Sequence, residues 1–131
     1  MNLLRRALGL GASLLLVVSV PLVVAPRTIV EEVMGQAASG DDAWVRLFGA
    51  AVVALALFHV LILRRLEDLW WWCWAFVVFD GSVSVIALSH AAVGLPGSAE
   101  WPWWLLGSTA ALFTALFVIG LAKAGQEKPF A

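Results

Sequence analysis

One acidic side chain, Asp80, falls in the middle of a long apolar stretch of this 131-residue chain, and it offers the most chemistry. Counted from Trp70 at about 1.5 Å per helical residue, Asp80 lies about 15 Å along the axis, near the centre of a membrane-crossing segment. A carboxylate at that depth costs roughly 2.5–3.5 kcal/mol, so we expect it to face protein or water. There it would bind a proton or a cation, or hold a small polar substrate.

Two hydroxyl residues complete a candidate intramembrane polar site. Ser84 follows Asp80 by one helical turn, and Thr114 lies at a matching depth in the last apolar stretch. Structural interpretations stay open beside the functional ones. In one, Asp80, Gly81 and Ser82 mark a local break in the helix, and the carboxylate caps the backbone N–H groups that the break frees. In the other, a protonated Asp80 donates a hydrogen bond to a neighbouring helix.

Basic and imidazole side chains suggest a second cluster at the outer mouth of the bundle. Arg46 and His90 share the outer-leaflet level. The interpretation we favour over a cluster is that Arg46 snorkels to the interface and His90 bonds a backbone carbonyl. We expect His59 at the cytoplasmic edge, near Arg64 and Asp68. His59 and His90 then lie at depths about 24 Å apart, so one haem cannot bind both within a monomer, and we expect no cofactor and no metal site.

Four apolar segments must position these residues. The chain is 63% hydrophobic and 13% charged, which leaves too little polar surface for a water-exposed globule. Its eight tryptophans fall where apolar runs begin, as in the aromatic belts of membrane proteins. We therefore predict an all-α integral membrane four-helix bundle, one transmembrane domain with spans 7–25, 44–63, 70–93 and 102–122, and outer loops 26–43 and 94–101.

Basic residues predict the orientation of the bundle. Six lie on one side of a four-span path and two on the other: Arg5, Arg6, Arg64, Arg65, Lys123 and Lys128 against Arg27 and Arg46. The positive-inside rule then places both termini in the cytoplasm. We expect the chain in the cell inner (plasma) membrane. The first span imitates a secretory signal, but it exceeds the usual signal core of about 7–15 residues and Pro26 occupies the cleavage position, so we expect it to be retained.

The first outer loop carries a helix signal. Thr28 followed by Glu31 has capping-box spacing, and apolar residues recur on one face up to Gly35, which predicts a short helix on the membrane surface; a simple loop is the alternative. Asp41 or Asp42 is placed to cap the second span.

The pattern resembles the DoxX-like group of small four-span bacterial membrane proteins. The shared features are a first span that closes with proline, the run Arg46, Leu47, Phe48 and Gly49 that enters the second span, and Arg64 with Arg65 in the inner turn. Such proteins are mostly uncharacterised, and the resemblance implies a link to redox complexes. The scarcity of lysine, asparagine and isoleucine also suggests a GC-rich bacterial genome.

Enzyme signatures are absent from the sequence: it has no phosphate-binding glycine loop, no cysteine pair and no histidine/carboxylate metal motif. No basic surface remains for nucleic acid beyond the residues that set orientation. We expect a small accessory or assembly subunit, embedded in the lipid bilayer as a homo-oligomer or beside other membrane subunits. The alternatives are a proton- or ion-coupled transporter or channel that uses Asp80, and a redox or lipid-related membrane partner.

Overall fold

A computed structural model describes residues 1–37, 40–94 and 99–127, and within these ranges the chain is helical with no strand. Lys128 and the middle of the second outer loop lie outside the described residues. The helices are α1 (Asn2–Val24), α2 (Ala43–Arg64), α3 (Leu66–Leu69), α4 (Trp74–Val93) and α5 (Trp101–Glu127). A π-helical turn covers Thr28–Val33, and a 3₁₀ turn, Trp70–Cys73, joins α3 to α4.

Four helical segments of the described chain are long and apolar enough to cross a membrane: Asn2–Val24, Ala43–Arg64, Leu66–Val93 and Trp101–Glu127. The chain therefore has the form of a multi-pass membrane protein. The helices are longer than the predicted spans at the ends of the chain, since α1 begins at Asn2 and α5 continues to Glu127. These added turns carry Arg5, Arg6 and Lys123, whose side chains are exposed.

The bundle is built from two antiparallel hairpins, α1 with α2 and α4 with α5. Glycines allow the helices of each hairpin to approach closely. A Cβ on Gly49 would lie 2.8 Å from Val23 Cγ2, and one on Gly107 would lie 2.6 Å from Leu88 Cγ. Close backbone approach through small residues is typical of helix packing in lipid, where burial of apolar surface gives little driving force between helices.

The hairpins meet in a core near one end of the bundle. That end carries the exposed side chains of Arg5, Arg6, Arg64, Arg65 and Lys123, and we call it the basic end; the opposite end, with the two long connections, is the loop end. The buried core residues there are Leu4, Ala7, Leu8, Ile62, Leu66, Trp70, Cys73, Phe76, Phe117, Leu121 and Ala124. The Met1 nitrogen lies 2.9 Å from Glu127 Oε2, so α1 begins beside the end of α5.

The lateral surface of the bundle is apolar, and tryptophans mark both of its ends. Large hydrophobic side chains such as Val17, Val85 and Ile86 are exposed along the helices. Exposed tryptophans lie near the loop end and near the basic end: Trp44, Trp101 and Trp104 in the first group, and Trp71, Trp72 and Trp74 in the second. Lipid, rather than water, stabilises an exposed apolar surface that has tryptophan side chains at both of its ends.

The connections at the loop end contact each other. The Ala99 backbone N–H donates to Met34 O at 3.2 Å, which joins the two loops. Asp41 Oδ1 accepts a hydrogen bond of 2.9 Å from the N–H of Ala43, the first residue of α2, whereas the N-cap residue Asp42 makes no side-chain cap hydrogen bond. The turn Thr28–Val33 has no side-chain cap hydrogen bond at its start, since helical backbone already includes Arg27. That this turn lies on a membrane surface remains a prediction.

Candidate intramembrane polar site

Asp80 lies on the side of α4 that faces the bundle. The buried residues of this helix are Phe76, Ser84, Ala87 and Ala91, and the 3.6-residue period places Asp80 between the first two of them on the same face. Phe76 has no exposed surface and Ser84 is 7% exposed, whereas Asp80 itself is only partly buried. The carboxyl group thus faces the interior, and no hydrogen bond or ion pair joins it to another described residue.

Ser84 and Thr114 lie close to Asp80 along the helices, yet neither is bonded to it. Gly81 faces Thr114 across the α4–α5 interface, where a Cβ on the glycine would lie 3.9 Å from Thr114 Oγ1. The Thr114 hydroxyl donates to Ala110 O at 2.9 Å. This back-bond to the preceding turn is common for threonine inside helices and directs the hydroxyl proton away from Asp80.

The idea of a local helix break at Asp80 is wrong in this structure. Helix α4 runs without interruption from Trp74 to Val93, through Asp80, Gly81 and Ser82. Every backbone N–H near the carboxylate is therefore used within the helix, and none is freed for it to cap. The irregular backbone lies earlier, at Trp70–Cys73, where the segment enters the bundle.

His59 is buried in the core, and no described hydrogen bond or ion pair joins it to Arg64 or Asp68. It is 2% exposed, and its ring stacks on Phe76 with 3.6 Å between centroids. Phe117 packs edge-on against the same ring at 5.9 Å. Sequence reasoning missed this placement. One usable signal was Gly11, which lies at the same depth on α1 and leaves room for an imidazole.

Arg46 and His90 take different partners. Arg46 Nη1 donates to Val23 O at 2.6 Å, and this carbonyl belongs to the last turn of α1, where helix C-termini attract cations. His90 packs on the ring of Trp103 with 4.1 Å between centroids. The structure shows no bond between Arg46 and His90, and the buried atoms His90 Nε2 and Trp103 Nε1 have no hydrogen-bond partner among the described residues.

The two histidines are far apart along the bundle. His59 stacks on Phe76 of α4. His90 follows Phe76 by fourteen residues on α4, which is about 21 Å along the helix axis. One haem therefore cannot be ligated by both. Across the described ranges, no three histidine, cysteine or acidic side chains come close enough to hold a metal ion.

The face of α4 opposite Asp80 is not covered by another helix. Two shallow, open grooves run along it; both include Val85 and Ile86, the first with Ser82 and the second with Ser89. Both hydroxyl residues are exposed, as is Val93 at the end of the second groove. Two hydroxyls seven residues apart lie on one side of a helix, so this surface combines apolar ridges with small polar positions.

No family model, curated protein or solved structure matches this chain. The resemblance to DoxX-like proteins therefore stays a prediction, and so does the link to redox complexes that it implies.

Proposed function

We propose that this chain is a small integral membrane protein that works as an accessory or assembly subunit, as a homo-oligomer or beside other membrane subunits. In this proposal the bundle lies in the cell inner (plasma) membrane with its basic end in the cytoplasm. Five described basic side chains lie at that end, against Arg27 and Arg46 at the loop end. This imbalance supports the orientation, because cytoplasmic loops are enriched in arginine and lysine.

The uncovered face of α4 carries this proposal. Ser82 and Ser89 offer small, hydroxyl-bearing positions on this face, and Val85 with Ile86 forms an adjacent ridge. Helices associate in lipid through small residues that permit close approach and through hydroxyls that bond across the interface. We infer that a second copy of this chain covers this face. About a two-fold axis the same surface meets itself, so the ridge of one copy would pack against the small residues of the other.

Cysteine crosslinking in native membranes tests this interface. Ser82→Cys and Ser89→Cys place thiols on the proposed surface, while Ser13→Cys places one at an exposed position of α1 as a matched control. The native Cys73 is fully buried and does not interfere. We expect covalent dimers from the two α4 variants and none from the control. An adduct with a different membrane protein would favour the hetero-subunit form, and monomers throughout would refute both forms.

A second candidate function, a proton- or ion-coupled transporter or channel, is favoured by the position of Asp80. Its carboxyl group lies mid-span on the interior side of α4 without a partner among the described residues, where a bound proton or cation would offset the cost of burial. Flux of protons and alkali cations into proteoliposomes tests this. Asp80→Asn should abolish a flux that the wild type supports, whereas Asp68→Asn, at an exposed position of the basic end, should preserve it.

A further inference from the structure

The two ends of the bundle differ in whether their basic side chains have partners within the protein. At the loop end, Arg27 Nε lies 2.8 Å from Asp42 Oδ2, and Arg46 Nη1 donates to Val23 O at 2.6 Å. At the basic end, five basic side chains are exposed and make no hydrogen bond or ion pair with another described residue: Arg5, Arg6, Arg64, Arg65 and Lys123. These five charges are therefore available to a ligand.

The acidic side chains of the basic end do not balance this charge. Glu127 Oε2 lies 2.9 Å from the Met1 nitrogen, so these two charges offset each other. Glu67 and Asp68 are the other acidic residues of this end. The described residues there therefore carry a surplus of three positive charges, which attracts a negatively charged ligand.

Helix packing brings arginines of α1 and α2 to the same depth. The two helices are antiparallel, and a Cβ on Gly11 would lie 3.2 Å from His59 Nε2, which fixes their register at this point. Arg6 precedes Gly11 by five residues and Arg64 follows His59 by five, so both lie about 7.5 Å beyond this contact toward the basic end. Two neighbouring helices thus carry guanidinium groups at one level.

Helix α5 adds a lysine at the same end. A Cβ on Gly120 would lie 2.8 Å from Leu4 Cγ, where α5 packs on the first turn of α1. Lys123 follows Gly120 by three residues, about 4.5 Å further toward the basic end. Basic side chains from three helices are therefore grouped at one end of the bundle.

Tryptophans indicate that this group lies at the level of lipid headgroups. Trp72 packs edge-on against Phe58 of α2 with 6.1 Å between centroids, and Trp71 stacks on Trp72. Both indoles are partly exposed, and exposed indoles in membrane proteins lie at the boundary between hydrocarbon and headgroups. Arg64 follows Phe58 by six residues, about 9 Å along the axis, which places it on the headgroup side of that boundary.

We propose that the basic end binds the phosphate groups of anionic phospholipids, with Arg6 and Arg64 at the centre of the site. A guanidinium group donates two parallel hydrogen bonds to phosphate oxygens, and Lys123 adds a point charge. A lipid with net negative charge fits better than a zwitterionic one, because the cationic part of a zwitterionic headgroup is repelled by the surplus positive charge. The site depends neither on dimerisation nor on the direction of insertion, since it requires only that the basic end lies at a membrane surface.

Tryptophan fluorescence of the full chain in lipid vesicles tests the proposal. The vesicles consist of phosphatidylcholine with increasing fractions of brominated phosphatidylglycerol, which quenches nearby indoles, and brominated phosphatidylcholine gives the reference. We expect the wild type to prefer phosphatidylglycerol. Arg6→Gln and Arg64→Gln should each weaken the preference about fivefold, the effect of one basic residue at a membrane surface. Arg27→Gln removes the same charge at the loop end and should leave the preference unchanged, and Arg64→Lys should retain most of it.

Soluble glycerol phosphate distinguishes a lipid site from a site for free phosphate. We expect millimolar glycerol phosphate not to displace the brominated lipid; displacement would assign the site to a soluble phosphate compound and overturn the proposal. Equal quenching by the two brominated lipids in the wild type would also overturn it, as would an equal effect of Arg27→Gln and Arg64→Gln. If the arginine variants fail to fold, the wild type decides, because a preference based on charge must fall as sodium chloride is added. A preference that does not change with salt would refute the site.

Discussion

The clearest quantitative prediction concerns Gly107, where α5 closely approaches Leu88 of α4. A Cβ there would lie 2.6 Å from Leu88 Cγ, 2.8 Å from Leu88 Cδ2 and 3.0 Å from the Leu88 backbone nitrogen. Carbon atoms pack at about 3.5–4.0 Å, so the shortfall is about 1 Å. Because one of the obstructing atoms belongs to the backbone, a new side-chain rotamer of Leu88 cannot remove the clash, and the helices must separate.

Gly107→Ala should therefore lower the free energy of unfolding through overpacking, which costs about 1–3 kcal/mol. The matched control is Gly9→Ala, because nothing lies within 4 Å of a Cβ at Gly9. Both variants gain the same helix propensity, about 1 kcal/mol on the aqueous scale, so the difference between them isolates the clash.

Reversible unfolding in mixed micelles with increasing sodium dodecyl sulfate, followed by circular dichroism, measures this difference. We expect Gly107→Ala to be less stable than Gly9→Ala by about 1–3 kcal/mol. Equal unfolding free energies for the two variants would show that α4 and α5 do not approach at Gly107, and the α4–α5 hairpin described above would then be wrong.

Three further predictions address other contacts. Arg46→Gln should lower the free energy of unfolding by about 1 kcal/mol because it removes the cation bonded to Val23 O at the C-terminus of α1, whereas Arg6→Gln, far from that carbonyl, should not; equal effects would contradict the role of Arg46 at this helix end. Cys73, with 0% exposure, should react with a small maleimide only after the protein unfolds in detergent, whereas the added thiol of Ser13→Cys should react in the folded state. Rapid labelling of the folded wild-type protein would contradict the burial of Cys73 in the core. Gly11→Ala should shift the ¹⁵N signals of His59, whereas Gly9→Ala should not, and identical spectra for both would place His59 away from α1.

Much of the fold follows from the sequence because lipid imposes simple rules. Long uncharged stretches bracketed by tryptophans predicted four crossing helices, and the structure confirms four helices of that kind. The end of α5 was harder to predict. Residues 123–127 contain Lys123, Gln126 and Glu127, which are too polar for a span but are good helix formers, so the helix continues past the apolar stretch.

The candidate site was predictable in depth but not in detail. Helical periodicity was enough to place Asp80 and Ser84 on one face of α4 and Thr114 at their level. It does not indicate the direction of a hydroxyl, and Thr114 bonds its own helix. The burial of His59 was not predicted, because its contacts with Phe76 and Gly11 depend on how the hairpins dock, which the hydropathy of single segments does not encode.

The central claim is that four helices cross the membrane with the basic end inside the cell. Labelling of single cysteines in intact cells with a membrane-impermeant maleimide tests it most directly, using Glu32→Cys at the loop end and Asp68→Cys at the basic end, both at exposed positions. We predict that Glu32→Cys is labelled in intact cells and Asp68→Cys only after permeabilisation. Labelling of both thiols in intact cells, or of Asp68→Cys alone, would contradict the proposed topology.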